Sequence, residues 1–74
     1  MKETIRQIIE EALPMVNTDS QFLIEELDSL GVTTILMLLS EKYGITLEYT
    51  DATPKNFRSL DSLTAMVQAK LAEK

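Results

Sequence analysis

Ile5, Ile8, Ile9, Ala12 and Leu13 recur at i, i+3, i+4, i+7 and i+8, with Glu3, Arg6, Gln7, Glu10 and Glu11 on the opposite side. That spacing predicts an amphipathic helix over 3–13. Pro14 ends it, because a proline pushes the preceding residue out of the helical region. A second stripe, Val32, Ile35, Leu36, Leu39 and Tyr43, predicts a central helix over 29–43. Asp28 stands where a cap is needed, its carboxylate able to accept from the free N–H groups of the first turn. Gly44 suits a left-handed stop, and Lys42 in the last turn complements the helix dipole. Leu30, Met37 and Leu38 fall off the stripe. Such residues flank a core somewhat more often than they face a partner, and both readings stand at this point. Leu60, Leu63, Val67 and Leu71, helped by Met66, predict a last helix over 60–72, capped by Ser59 and with Asp61 in its first turn.

The intervals are unequal. Residues 14–28 predict a long loop with turn chemistry at Asn17-Thr18-Asp19-Ser20. A loop of this length in a small domain is usually functional or disordered. Phe22, Leu23, Ile24 and Leu27 favour an ordered one, pinned to the core. Ile45 to Tyr49 alternates apolar and polar residues, but a lone strand has no partner, so an extended loop is expected. Thr53-Pro54 predicts a cap and a proline at the first helical position, opening a single turn through Phe57. The expected fold is all-α: a small bundle of three main helices plus one short helix, with a long loop between the first two, in a single domain spanning residues 1–74.

Composition narrows the chemistry. The chain has no Cys and no His, which excludes most zinc sites and every Cys–His or Ser–His nucleophile pair. A hydrolase built on a serine would lack its base. Any thiol chemistry must therefore come from a cofactor. The net charge of −5 argues against nucleic acid as a partner. Residues 1–37 hold seven acidic groups against two basic ones, whereas residues 38–74 hold five of each. The acidic surplus before and around Ser29 points to basic partners. The longest unbroken apolar run, Ile35 to Leu39, is far short of a membrane span, and no signal peptide is visible. The absence of Cys fits a reducing compartment, so a soluble, cytoplasmic monomer without membrane insertion is expected.

Leu27-Asp28-Ser29-Leu30-Gly31 lies between the acidic approach and the most apolar run of the chain. Ser29 falls in the first turn of the central helix, where free N–H groups and the positive end of the helix dipole favour an anion. A phosphodiester there would be stabilised by about 0.3–1 kcal/mol. The tetrapeptide Leu-Asp-Ser-Leu returns at 60–63, but its flanks differ and Ser59 already caps that helix. Ser62 therefore reads as a solvated helix-face serine.

Asp28-Ser29-Leu30, about 45 residues from the last residue, resembles the acyl carrier protein family. The likeness extends over the amphipathic first helix, the long loop with a buried Phe22, the helix closing on Glu41-Lys42-Tyr43-Gly44-Ile45, and the last helix after Phe57-Arg58-Ser59-Leu60. It implies that Ser29 carries 4′-phosphopantetheine, transferred from coenzyme A, and that the arm's thiol holds acyl or aminoacyl groups as thioesters. It implies a discrete carrier, not an enzyme. Its partners would be a phosphopantetheinyl transferase and acyl-transferring, ligase or synthase enzymes. Asp28 would cap the helix and help the transferase, with its magnesium, to recognise the site. Leu30, Met37, Glu25 and Glu26 would contact partners. Fatty-acid carriers usually read Gly-Ala-Asp-Ser-Leu-Asp and have a strongly acidic second helix. Here Glu26-Leu27 precede Asp28, Gly31 follows Leu30, and Glu41 is the one acid of the helix. The local string is similar to D-alanyl and other small stand-alone carriers, which makes an aminoacyl carrier served by an adenylating ligase the alternative. An unmodified bundle that only binds proteins is the other.

Overall fold

In the computed structural model, which describes residues 1–73, the helical stripes become three helices: α1, Lys2–Ala12; α2, Ser29–Tyr43; and α3, Leu60–Ala72. Ile5 and Ile9 of α1 are fully buried, one turn apart, while Ala12, expected on the same stripe, lies exposed where the helix ends against Pro14. α1 packs against both α2 and α3 and so forms the centre of the bundle. The core is completed by Val32, Ile35, Leu36 and Leu39 of α2, by Leu60, Leu63, Met66 and Val67 of α3, and by Leu23 and Phe57 from the connections. No strand occurs among the described residues.

The helix ends follow local chemistry. Gly44 closes α2 at φ 62°, ψ 37°, a left-handed conformation that glycine adopts without a Cβ penalty. The Ser40 carbonyl then accepts from the N–H groups of both Gly44 and Ile45. The Ser40 hydroxyl accepts from the Leu47 N–H at 3.1 Å and ties the following extended segment back to the helix. α3 starts at a Ser59 cap, whose hydroxyl accepts from the Ser62 N–H at 3.2 Å.

The connections hold the departures from the expected pattern. Residues 14–28 contain a 3₁₀ turn, Leu23–Glu26, where only a loop was expected. The Asn17–Ser20 turn does form: the Asn17 side chain accepts from the Asp19 N–H at 3.0 Å, and the Ser20 hydroxyl from the Phe22 N–H at 3.1 Å. Phe22 is not buried. It is 52% exposed, with the Arg58 guanidinium 5.7 Å from its ring centre. Leu23 takes the inward position instead, because its N–H is bonded to the Arg58 carbonyl at 2.7 Å, and Phe57 fills the aromatic position of the core. Arg6 of α1 holds the same connection from the other side, donating to the buried Thr18 hydroxyl at 3.1 Å and to Asp19 at 2.6 Å.

Residues 45–48 form no regular element, in keeping with the extended loop expected over Ile45 to Tyr49, and a second 3₁₀ turn, Tyr49–Asp51, starts at its last residue. The Asp51 carboxylate accepts from the Glu48 N–H at 2.9 Å and pairs with Lys70 of α3 at 3.2 Å. Those contacts, the backbone bond first, hold its pKa below the usual carboxylate value. The short helix expected through Phe57 is a single turn, closed by Phe57 N–H on the Thr53 carbonyl at 2.9 Å and capped by the Thr53 hydroxyl on the Asn56 N–H at 3.1 Å.

Leu39 is fully buried in mid-α2. Leu39→Ala should cost about 2–5 kcal/mol, a large part of the stability of so small a chain, and urea titration followed by circular dichroism measures it. A cooperative transition with an unchanged midpoint would show that this side chain does not hold the bundle together.

Candidate functional site

α2 begins where two extended residues meet its first turn. Leu27 has φ −114°, ψ 139°, and Asp28 has φ −94°, ψ −179°. From that conformation the Asp28 Oδ1 accepts from the Gly31 N–H at 2.7 Å, and the Asp28 carbonyl accepts from the Val32 N–H at 3.0 Å. The expected cap is therefore present. Gly31 is buried and lets the cap close: a Cβ there would lie 3.3 Å from the Asp28 Oδ1 and 3.4 Å from a Leu27 methyl.

Ser29 is the first residue of α2 and is exposed. Helix geometry leaves its own N–H and that of Leu30 without an intrahelical acceptor, since both precede the first i→i−4 bond. The Asp28 carboxylate is turned onto Gly31. The Ser29 hydroxyl thus stands beside donor groups at the positive end of a 15-residue helix. A phosphodiester on this oxygen fits that donor set. The Thr33 hydroxyl, one turn on, donates back to the Ser29 carbonyl at 2.9 Å, and Thr34 donates to the Leu30 carbonyl at 2.8 Å. Both hydroxyls are spent on the helix itself.

The other anticipated site residues fall on either side of Ser29. Leu30 is 74% exposed and Met37 53% exposed. They are seven residues apart, two turns and roughly 10 Å along the same side of α2. Neither flanks the core; Leu38 is half-buried. Glu25 and Glu26 lie exposed in the 3₁₀ turn that leads into Asp28. They differ in one respect: the Glu26 carboxylate accepts from the Asn17 N–H at 3.2 Å and so helps to close the connection. Nothing in the local residue pattern around Glu26 signals that bond, which joins positions nine apart.

A family model described as phosphopantetheine attachment site matches residues 2–67. The chain belongs to that family. Its members carry 4′-phosphopantetheine covalently on a serine, and they are carriers, not catalysts. No curated protein and no solved structure matches the chain. Among the described residues of this phosphopantetheine carrier, no helix is long and apolar enough to cross a membrane.

The second Leu-Asp-Ser-Leu is arranged differently. Ser62 is half-buried, its N–H is held by the Ser59 hydroxyl, and its own hydroxyl lies 3.2 Å from that oxygen. It is part of the α3 cap and not the freely solvated serine expected there.

Asp28→Ala should lower stability by about 0.5–2 kcal/mol, the usual cost of losing an N-cap. Asp28→Asn, which keeps an acceptor, should retain most of it. Parallel denaturation curves compare the three proteins. An alanine variant as stable as wild type would show that the bond to Gly31 contributes nothing.

Proposed function

We propose that Ser29 is the attachment point of the phosphopantetheine arm and that residues 1–74 act as a single carrier domain for acyl or aminoacyl groups. The observation that carries this reading is the exposed Ser29 hydroxyl at the first position of α2, beside a cap turned away from it. When bound, the group supplies a terminal thiol, which a chain without Cys lacks and which can hold an acyl group as a thioester. The residues of the chain do the remaining work. Asp28 caps the helix start through Gly31 and, as the residue before Ser29, helps the transferase to recognise the site. Glu25 and Glu26 place negative charge on the approach, which favours encounter with basic partner surfaces.

Leu30 and Met37 form the contact surface for the enzymes that load and unload the arm. Between Asp28 and Glu41 there is no charged residue, and the hydroxyls of Thr33 and Thr34 are turned back onto the helix. This face suits a dedicated partner such as an adenylating ligase with an apolar docking groove, and it supports the aminoacyl reading beside the acyl one.

Incubation with coenzyme A, magnesium and a broad-specificity phosphopantetheinyl transferase should add one arm to the wild-type protein and to Ser62→Ala, and none to Ser29→Ala. Intact-mass measurement reads the result. An arm on Ser29→Ala would refute the assignment.

The arm-bearing protein should be a poor substrate for a fatty-acid malonyl transferase. A ligase that serves it should lose activity on Met37→Ala and tolerate added salt, because apolar contacts are little screened. Efficient malonylation that is insensitive to Met37→Ala and abolished by salt would show an ordinary, charge-read fatty-acid carrier.

A further inference from the structure

The chain contains its own control for what makes a serine modifiable. Leu27-Asp28-Ser29-Leu30 and Leu60-Asp61-Ser62-Leu63 are the same four residues at the start of a helix, yet they adopt different registers. In the first, Leu27 and Asp28 are extended, Asp28 is the cap, and Ser29 is the first helical residue. In the second, Leu60 and Asp61 are already helical and Ser62 is the third residue, half-buried and bonded to the cap. The immediately preceding residue differs: Glu26 before the first copy, Ser59 before the second.

That difference has a direct physical effect. Serine is among the strongest N-caps, because its short side chain reaches the N–H two or three residues on, whereas glutamate is outside the preferred set. At Ser59, with φ −150° and ψ 171°, the hydroxyl takes the Ser62 N–H and starts α3 at Leu60. Glu26 instead ends the 3₁₀ turn Leu23–Glu26, its carboxylate accepts from the Asn17 N–H, Leu27 is extended, and Asp28 caps α2.

We propose that Glu26 is a positioning residue for modification of Ser29. By declining to cap, it delays the start of α2 by two residues and leaves the serine at the exposed first position. Serine at 26 would make the first copy read Ser-Leu-Asp-Ser-Leu, as at 59–63, and would draw the Ser29 N–H and hydroxyl into a cap. This inference rests on Ser29 being the attachment point.

The test compares Glu26→Ser with Glu26→Ala in the full chain. Both remove the charge and the bond to Asn17; only the serine can cap. With coenzyme A, magnesium and a phosphopantetheinyl transferase, kcat/KM for the arm added at Ser29 should be lower for Glu26→Ser than for Glu26→Ala by roughly 2- to 30-fold, the range over which a capping side chain biases a helix start. Backbone carbon chemical shifts of Leu27 and Asp28 in the unmodified proteins should move toward helical values in Glu26→Ser and stay extended in Glu26→Ala. Equal rates for the two variants, or extended shifts in both, would overturn the role of Glu26 while leaving Ser29 as the attachment point. A wild-type protein that gains no arm on Ser29 would overturn the attachment reading and the role of Glu26 with it.

Discussion

The Leu23 N–H meets the Arg58 carbonyl at 2.7 Å while the Leu23 side chain is fully buried, and the placement of the site depends on this pairing. A chain of 74 residues has little apolar area with which to offset conformational entropy. It cannot leave a long connection idle, so the connection contributes to the core. Leu23 enters between the helices, Ile24 and Leu27 pack partly against the same cluster, and Arg6 ties Thr18 and Asp19 to α1. With both ends held, the last residues before α2 are extended, and Asp28 arrives in the conformation a cap requires.

The same arrangement places two different surfaces on either side of Ser29. Glu25 and Glu26 precede it on an exposed 3₁₀ turn, and the apolar face of Leu30 and Met37 follows. Charge acts over several ångströms and governs encounter, whereas apolar contacts act only after docking. Under the proposed carrier role, steering and docking rest on different segments. The hydroxyls of Thr33 and Thr34 donate back to the helix and so offer a partner no free proton.

The two Leu-Asp-Ser-Leu segments also show how little a short string specifies. A serine following Leu-Asp is open at one helix start and enclosed at another because capping is decided by the competition among neighbouring side chains and by which leucine the core demands. Leu60 is buried and must be helical to reach α1 and the rest of the core; Leu27 is only partly buried and meets it from an extended backbone.

Local chemistry determined the three helices and their ends, and the resemblance carried by Asp28-Ser29-Leu30 and its surroundings gave the family. Periodic Ile and Leu positions marked the buried faces, Pro14 acts sterically on the residue before it, and Asp28, Gly44 and Ser59 act through bonds to residues about a turn away, which a linear reading captures. The same holds for Ser29 and its cap. The choice between Phe22 and Leu23 and the bond from Asn17 to Glu26 were decided only by the assembled bundle, whereas the two 3₁₀ turns close on bonds between near neighbours and Ser62 is held by the Ser59 cap three residues before it. The former two depend on partners outside the local segment: Arg58 for Leu23 and Asn17 for Glu26. Adjacent residues of similar hydrophobicity look alike in sequence, and only a backbone bond from a distant strand of chain settles which of them turns inward.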